Sequence, residues 1–129
     1  AAGETVGANW IVSQDDPSGK CDKAPSDTVV PLIVQKKSGA EGSVNARLEA
    51  NGSVVVFNGL GRLATGVANL TQIDVTNPNG GKCQPPFGTA GGGPMRCLRI
   101  LVSTGGQVRM CDPAVPAPVP PADDPRSCV

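Results

Sequence analysis

Glycine and proline recur along this chain of 129 residues, and they constrain its fold more than any other feature. The sequence holds 17 glycines and 13 prolines, and both residue types interrupt helices and punctuate strands. The apolar segments between them are short, which predicts a mainly β fold of antiparallel strands joined by many turns. We assign residues 1–111 to this β domain. Residues 112–129 are rich in proline and predict an extended C-terminal tail.

Strand-like segments alternate with turn signals along the first part of the chain. The predicted strands are residues 10–12, 28–35, 45–50, 53–58 and 70–76. Pro31 lies inside the second of these segments and predicts an edge strand or a bulge there. Residues 77–95 are dominated by Asn, Gly and Pro, and they predict a long loop.

Asn51-Gly52 is a strong signal for a two-residue hairpin turn. It predicts that the segments on either side, 45–50 and 53–58, pair with each other. The pairs predicted outward from the turn are Ala50 with Ser53 and Leu48 with Val55.

Residues 96–113, RCLRILVSTGGQVRMCDP, predict a second hairpin. A three-residue loop over 103–105, with Gly105 in the left-handed conformation, makes one face of this hairpin wholly apolar. On that face the predicted pairs are Val102 with Gly106, Ile100 with Val108 and Leu98 with Met110. The predicted pairs on the other face are Leu101 with Gln107, Arg99 with Arg109 and Cys97 with Cys111.

The predicted pairing of Arg99 with Arg109 sets two like charges opposite each other, which is unfavourable in an isolated sheet. An acidic neighbour would offset this repulsion, and a bound anion would offset it as well. The candidate neighbours are Asp112, Asp123 and Asp124.

Five cysteines in so short a chain predict disulfides and an oxidising compartment, with one thiol left over. The hairpin register brings Cys97 and Cys111 within disulfide range. An alternative scheme remains open, because a tail with little apolar bulk needs a covalent tie to hold its end. That scheme joins Cys83 to Cys97 and Cys111 to Cys128. Either scheme leaves Cys21 as the free thiol.

Catalytic and metal-binding chemistry finds little support in the sequence. The chain has no histidine, so it lacks the commonest general base and metal ligand. The cysteines form no CxxC pair, and the acidic loop over 15–22 lacks the alternating oxygen ligands of a calcium loop. We therefore expect no enzyme activity, no metal and no cofactor. The net charge is zero, but Lys and Arg outnumber Asp and Glu over residues 82–129, which suits an anionic partner.

Three segments resemble the soluble domain of the GspH/FimT-type minor pilins, the FimT/FimU family of type IV pili. NWIVSQDD (9–16) is similar to the family's first strand, with its tryptophan, and the acidic loop after it. VVVFNGLGRLATG (54–66) is similar to its strand ending in Phe and the GxGR turn that follows. CLRILVSTGGQVRMCDP (97–113) is similar to its closing hairpin. On this resemblance, residues 1–111 are a pilin-like β domain of two antiparallel sheets.

The resemblance implies an α+β full-length protein whose long hydrophobic N-terminal helix is absent from these residues. In that family the helix anchors the protein in the inner membrane, with the domain in the periplasm, and later packs in the core of the extracellular pilus. The implied function is structural: a minor pilin that joins other minor pilins and the major pilin in a tip complex and helps to start pilus assembly. No small-molecule substrate is implied.

Some FimT proteins bind double-stranded DNA during natural transformation through a GRxR motif of the closing hairpin. Residues 106–109 occupy this motif, and Gln107 stands in place of its first arginine. Because affinity for DNA grows with the number of phosphate contacts, this replacement favours the structural role over DNA uptake. The candidate DNA contacts are Arg99, Gln107, Arg109, Lys82, Arg96 and Arg126. A third interpretation, a secreted eukaryotic β-sandwich adhesion domain, predicts sugars on Asn51 and Asn69.

Overall fold

The computed structural model describes residues 7–17, 19–85, 92–116 and 124–128. Its strands are β1 (Trp10–Ser13), β2 (Ile33–Lys37), β3 (Arg47–Ala50), β4 (Gln72–Thr76), β5 (Leu98–Val102) and β6 (Val108–Cys111). The helical segments within these ranges are the short 3₁₀ turns Gly39–Glu41 and Pro78–Gly80. No helix in the described part of the chain is long and apolar enough to span a membrane. The predicted mainly β class with antiparallel sheets is confirmed.

β1 and β2 form a two-stranded antiparallel sheet. β2 begins at Ile33, later than the predicted strand over 28–35. The Oγ of Ser26 accepts the backbone N–H groups of Thr28 and Val29, so the start of that segment is held in a turn. Ile33, the first residue of β2, is only 1% exposed. Its side chain is one of the most deeply buried of the described residues.

β3, β4, β5 and β6 form a four-stranded antiparallel sheet in that order. β3 pairs with β4, and this ladder sets Ala50 opposite Ile73. The predicted hairpin between 45–50 and 53–58 is therefore wrong. β3 lies within the first of these segments, whereas the second contains no regular strand.

Asparagine side chains explain why the chain leaves β3 without a tight hairpin. The Oδ1 of Asn51 accepts the backbone N–H groups of Thr71 at 2.9 Å and Gln72 at 3.0 Å, which ties the end of β3 to the start of β4. The Oδ1 of Asn69 accepts the N–H of Val56 at 2.7 Å. Both amides thus help to hold the segment between β3 and β4 in place, together with backbone bonds such as the one from the N–H of Leu70 to the carbonyl of Val54 at 2.7 Å.

β5 and β6 form the predicted closing hairpin with a different register. The N–H of Ser103 donates to the carbonyl of Gln107 at 2.9 Å, so the loop spans 104–106 and not 103–105. Gly106 takes the positive φ of 85°. The observed pairs are Val102 with Val108, Ile100 with Met110, Leu101 with Arg109, and Arg99 with Cys111. The predicted opposition of Arg99 to Arg109 is wrong, but a shift of two residues keeps every side chain on its predicted face.

A contact outside the hairpin explains the shifted loop. Gly106 approaches the carbonyl oxygen of Gly61 so closely that a Cβ at this position has no room. The N–H of Leu63 also donates to the carbonyl of Thr104 at 3.1 Å. The turn around Gly61 therefore packs on the hairpin loop and selects Gly106, not Gly105, for the left-handed conformation.

Candidate functional site

The four-stranded sheet has two chemically distinct faces, because successive side chains of a strand point to opposite sides. The strand registers bring the apolar residues of all four strands onto one side, which we call the apolar face. Its members are Leu48, Ala50, Ile73, Val75, Leu98, Ile100, Val102, Val108 and Met110. They lie in cross-strand rows without a polar interruption.

The described residues leave much of the apolar face open. Val108 and Met110 are 57% and 56% exposed, and Leu98 is 36% exposed. Val102 is 8% exposed, whereas the other members are half-buried. A sheet face of this composition ordinarily packs against another layer and forms the core of a domain. The apolar face is therefore the first candidate for an interaction surface.

The opposite side, which we call the polar face, carries the ionisable side chains of the sheet. Asp74 lies directly opposite Arg99, and its Oδ1 accepts the Nε–H of Arg99 at 2.7 Å. Both side chains are largely shielded, with 21% and 25% of their surfaces exposed. Asp74, which was not among the predicted acidic neighbours, thus supplies a carboxylate for Arg99; Asp123, one of the three that were predicted, lies outside the described residues.

Two further arginines among the predicted DNA contacts pair with carboxylates. The Nε–H of Arg96 donates to Oδ2 of Asp112 at 2.9 Å, and Nη2 of Arg126 donates to Oδ2 of Asp124 at 2.7 Å. Lys82 makes no ion pair with any described residue. An arginine that already has a carboxylate partner offers less net charge to a phosphate backbone.

Gln107 and Arg109 lie together beside a shallow depression of about 330 Å³ on the surface of the sheet. The Nη1–H of Arg109 donates to the carbonyl of Ser127 at 3.2 Å, so this guanidinium has a neutral acceptor. The other residues that line the depression are Thr71, Gln72, Leu101, Val102 and Ser103. The structure thus brings two of the six predicted DNA-contact residues, Gln107 and Arg109, into one site. Arg99 forms an ion pair with Asp74 instead.

The disulfides follow the alternative scheme. They join Cys83 to Cys97, with Cα atoms 5.5 Å apart, and Cys111 to Cys128, with Cα atoms 5.1 Å apart. The predicted Cys97–Cys111 bridge is wrong because the register sets Cys111 opposite Arg99. Cys21 is the free thiol among the described residues, as predicted.

The second bridge holds residues 124–128, which we call the tail clasp, against the end of β6. Next to this bridge, Asp112 and Ser127 form a parallel β-bridge, and the N–H of Asp112 donates to the carbonyl of Arg126 at 2.7 Å. Ser127 is 0% exposed and Asp112 is 7% exposed. The tail clasp is therefore an ordered extension of the sheet edge, secured by one covalent bond and a few polar contacts.

The tail clasp is expected to loosen in acid. The hydrogen bond from Arg96 holds the pKa of Asp112 below its usual 3.8, and the hydrogen bond from Arg126 lowers the pKa of Asp124 to about 2. Since both folded pKa values lie below the unfolded ones, these pairs stabilise the clasp above about pH 4 and lose that contribution as the pH falls toward 2.

Amide chemical shifts of Ser127 and Asp112, followed by NMR from pH 6 to pH 2, measure this loosening. Asp124→Asn should remove the part of the transition that belongs to Asp124. Shifts that stay constant until the whole domain unfolds would contradict the prediction.

Asp74 and Ser127 are the residues of these sites that the sequence did not single out. Asp74 occupies a polar position of an alternating segment, but its partner comes from a strand that is distant in the chain. Ser127 belongs to no sequence motif, and only its position next to Cys128 could have drawn attention to it. Only the folded chain brings each of them to an arginine.

No protein-family model, no curated protein and no solved structure matches this chain. Within the described ranges, no group of three or more His, Cys, Asp or Glu residues is arranged to hold a metal ion. The features that bear on function are therefore the apolar face, the polar face with its arginines, and the tail clasp.

Proposed function

We propose that this chain is the globular domain of a type IV pilin-like minor pilin, with a structural role in pilus assembly. The observation that carries the proposal is the apolar face, which is continuous across four strands and partly open. Complete burial of a half-exposed side chain such as Val108 or Met110 would stabilise the protein by roughly 1 kcal/mol more. Such a face is therefore expected to be covered in the functional protein.

A long hydrophobic helix, of the kind that the resemblance implies, has suitable dimensions for this cover. Four strands at a spacing of about 4.8 Å make a sheet roughly 14 Å wide, and a helix with its side chains is about 10–12 Å across. One helix therefore covers most of the apolar face. The partners proposed on this basis are other minor pilins and the major pilin, with the domain in the periplasm before assembly and on the extracellular pilus afterwards.

DNA uptake is the alternative function, and it receives less support. Arg96, Arg99 and Arg126 each have a carboxylate partner. Lys82 and Arg109 are then the cations left for phosphate among the six candidate positions, and non-specific affinity for DNA falls with each contact that is lost.

Leu98→Glu in the full-length protein tests the proposed role. A charge placed under a covering helix is expected to reduce co-purification with the minor pilins, and entry into pili, by more than tenfold. Leu60→Glu is the matched control, because Leu60 is 85% exposed and lies outside the sheet. The unfolding midpoint of each soluble domain shows whether it has folded. Equal assembly of the two variants, or normal pili in a strain that lacks the protein, would refute the role.

A further inference from the structure

We propose that the outer edge of β6 accepts an extended segment of a partner protein as an added strand, with an acidic residue of that segment opposite Arg109. The β6 edge is defined here as residues Val108–Met110. The inference concerns hydrogen bonding at the rim of the sheet, and it is independent of whether a helix covers the apolar face.

The β6 edge presents hydrogen-bonding groups away from β5. In an antiparallel hairpin the residues alternate between pairs that exchange backbone hydrogen bonds and pairs that do not. The bond from Ser103 to Gln107 places Gln107, and with it Arg109, in the pairs that bond to β5. The N–H and C=O groups of Val108 and Met110 consequently point outward, and they have no backbone partner among the described residues.

The open part of the edge has defined limits. At one end, Gly106 is packed on the carbonyl of Gly61. At the other end, the tail clasp occupies the next outward position, where Asp112 pairs with Ser127. An added strand therefore bonds to Val108–Met110 and goes no further. At that position the clasp already forms a β-bridge with the outward-facing edge.

The side chains of the β6 edge indicate the chemistry of the partner. Val108 and Met110 belong to the apolar face and are more than half exposed, so apolar side chains at the facing positions of the added strand would continue this face across the edge. Arg109 lies between them on the polar face, in a pair whose side chains approach most closely across the new ladder. Because the carbonyl of Ser127 is the partner of its guanidinium among the described residues, a carboxylate opposite Arg109 would complete an ion pair.

A second copy of this chain fits the β6 edge less well. The antiparallel register that pairs Val108 of one copy with Met110 of the other sets the two Arg109 side chains opposite each other. Like charges directly opposite are destabilising. The occupant is therefore a different chain, with the pattern apolar–acidic–apolar.

The probe for this proposal is the capped peptide Thr-Val-Glu-Val-Thr, titrated into the 129-residue protein while backbone amide shifts are followed by NMR. Saturable shifts are expected at Val108 and Met110. A twin peptide with Lys in place of Glu is expected to bind at least about five-fold more weakly, from the loss of attraction and the added repulsion. A second twin, N-methylated at both Val residues, is expected not to bind, because it lacks the donors of the ladder.

Two protein variants test the register. Met110→Pro removes an outward N–H and leaves the bonds to β5 intact, so it should abolish binding. Arg109→Glu should reverse the preference between the Glu and Lys peptides, whereas the control Lys82→Glu should leave it unchanged.

Three outcomes would overturn the proposal. The first is that the N-methylated peptide binds as tightly as the unmodified peptide, or that the Met110→Pro variant binds the unmodified peptide as tightly as the original protein does. The second is a set of shifts confined to Thr71 and Gln72, which would indicate a carboxylate in the depression without a strand. The third is a concentration-dependent shift of Val108 in the absence of peptide, which would assign the edge to a second copy.

Discussion

Replacement of both cysteines of the second bridge, Cys111→Ala with Cys128→Ala, is expected to lower the free energy of unfolding by about 3 kcal/mol and to release the tail clasp. The bridge spans 17 residues, and closing a loop of this length removes about that much conformational free energy from the unfolded chain. The clasp has little apolar burial to replace the bond, since its fully buried residue is Ser127.

Urea denaturation of the double variant measures the loss of stability, and hydrogen exchange at the Asp112 amide measures release of the clasp. Cys21→Ala is the matched control, because Cys21 is the free thiol of the described residues. It should leave both quantities unchanged. If the double variant unfolds at the same urea concentration as this control, and its Asp112 amide exchanges no faster, the clasp is held by its polar contacts alone.

Gly106→Ala is expected to destabilise the domain by about 2 kcal/mol, whereas the neighbouring Gly105→Ala is expected to have little effect. Gly106 combines a φ of 85° with the close approach to Gly61, and a non-glycine residue held in such a conformation costs roughly 1–3 kcal/mol. A Cβ on Gly105 would meet nothing nearer than the Oγ of Ser103, at 3.8 Å.

Thermal or urea unfolding of the two alanine variants decides between the two hairpin registers. The register predicted from the sequence places Gly105 in the left-handed position, and it would make Gly105→Ala the damaging change. The observed loop over 104–106 requires the opposite order. Equal stability of the two variants would contradict both.

The alternation of residue types predicted the segments that contain β3, β4, β5 and β6 and the apolar side of the closing hairpin, but the predicted strand over 53–58 did not form. The segments 45–50 and 70–76 contain β3 and β4, and the closing hairpin contains β5 and β6. Its apolar face is the predicted one because the two-residue shift preserves side-chain parity. The composition of the tail supported the alternative scheme, in which Cys128 ties a segment with little apolar bulk to Cys111, but it did not decide between the two schemes.

The hydrogen-bond partners of Asn51 and the ion-pair partner of Arg99 could not be predicted from the residues next to them in the sequence. Asn51-Gly52 has the composition of a tight turn, yet the Asn51 amide bonds to the distant residues Thr71 and Gln72. The carboxylate partner of Arg99, Asp74, lies on the preceding strand β4, 25 positions earlier in the chain. In both cases the competing contact involves residues twenty or more positions away, and turn propensity does not include such a contact.

Composition and periodicity were enough to predict the mainly β class, the positions of the strands of the closing hairpin, the amphipathic division of that hairpin and the free thiol at Cys21. The strand order, the hairpin register, the disulfide pairing and the carboxylate partners of Arg96, Arg99 and Arg126 became apparent only in the folded chain. The physical reason is the same throughout. Periodicity and composition are properties of a short segment, whereas a register depends on which distant groups occupy the space beside it, as Gly61 does beside Gly106.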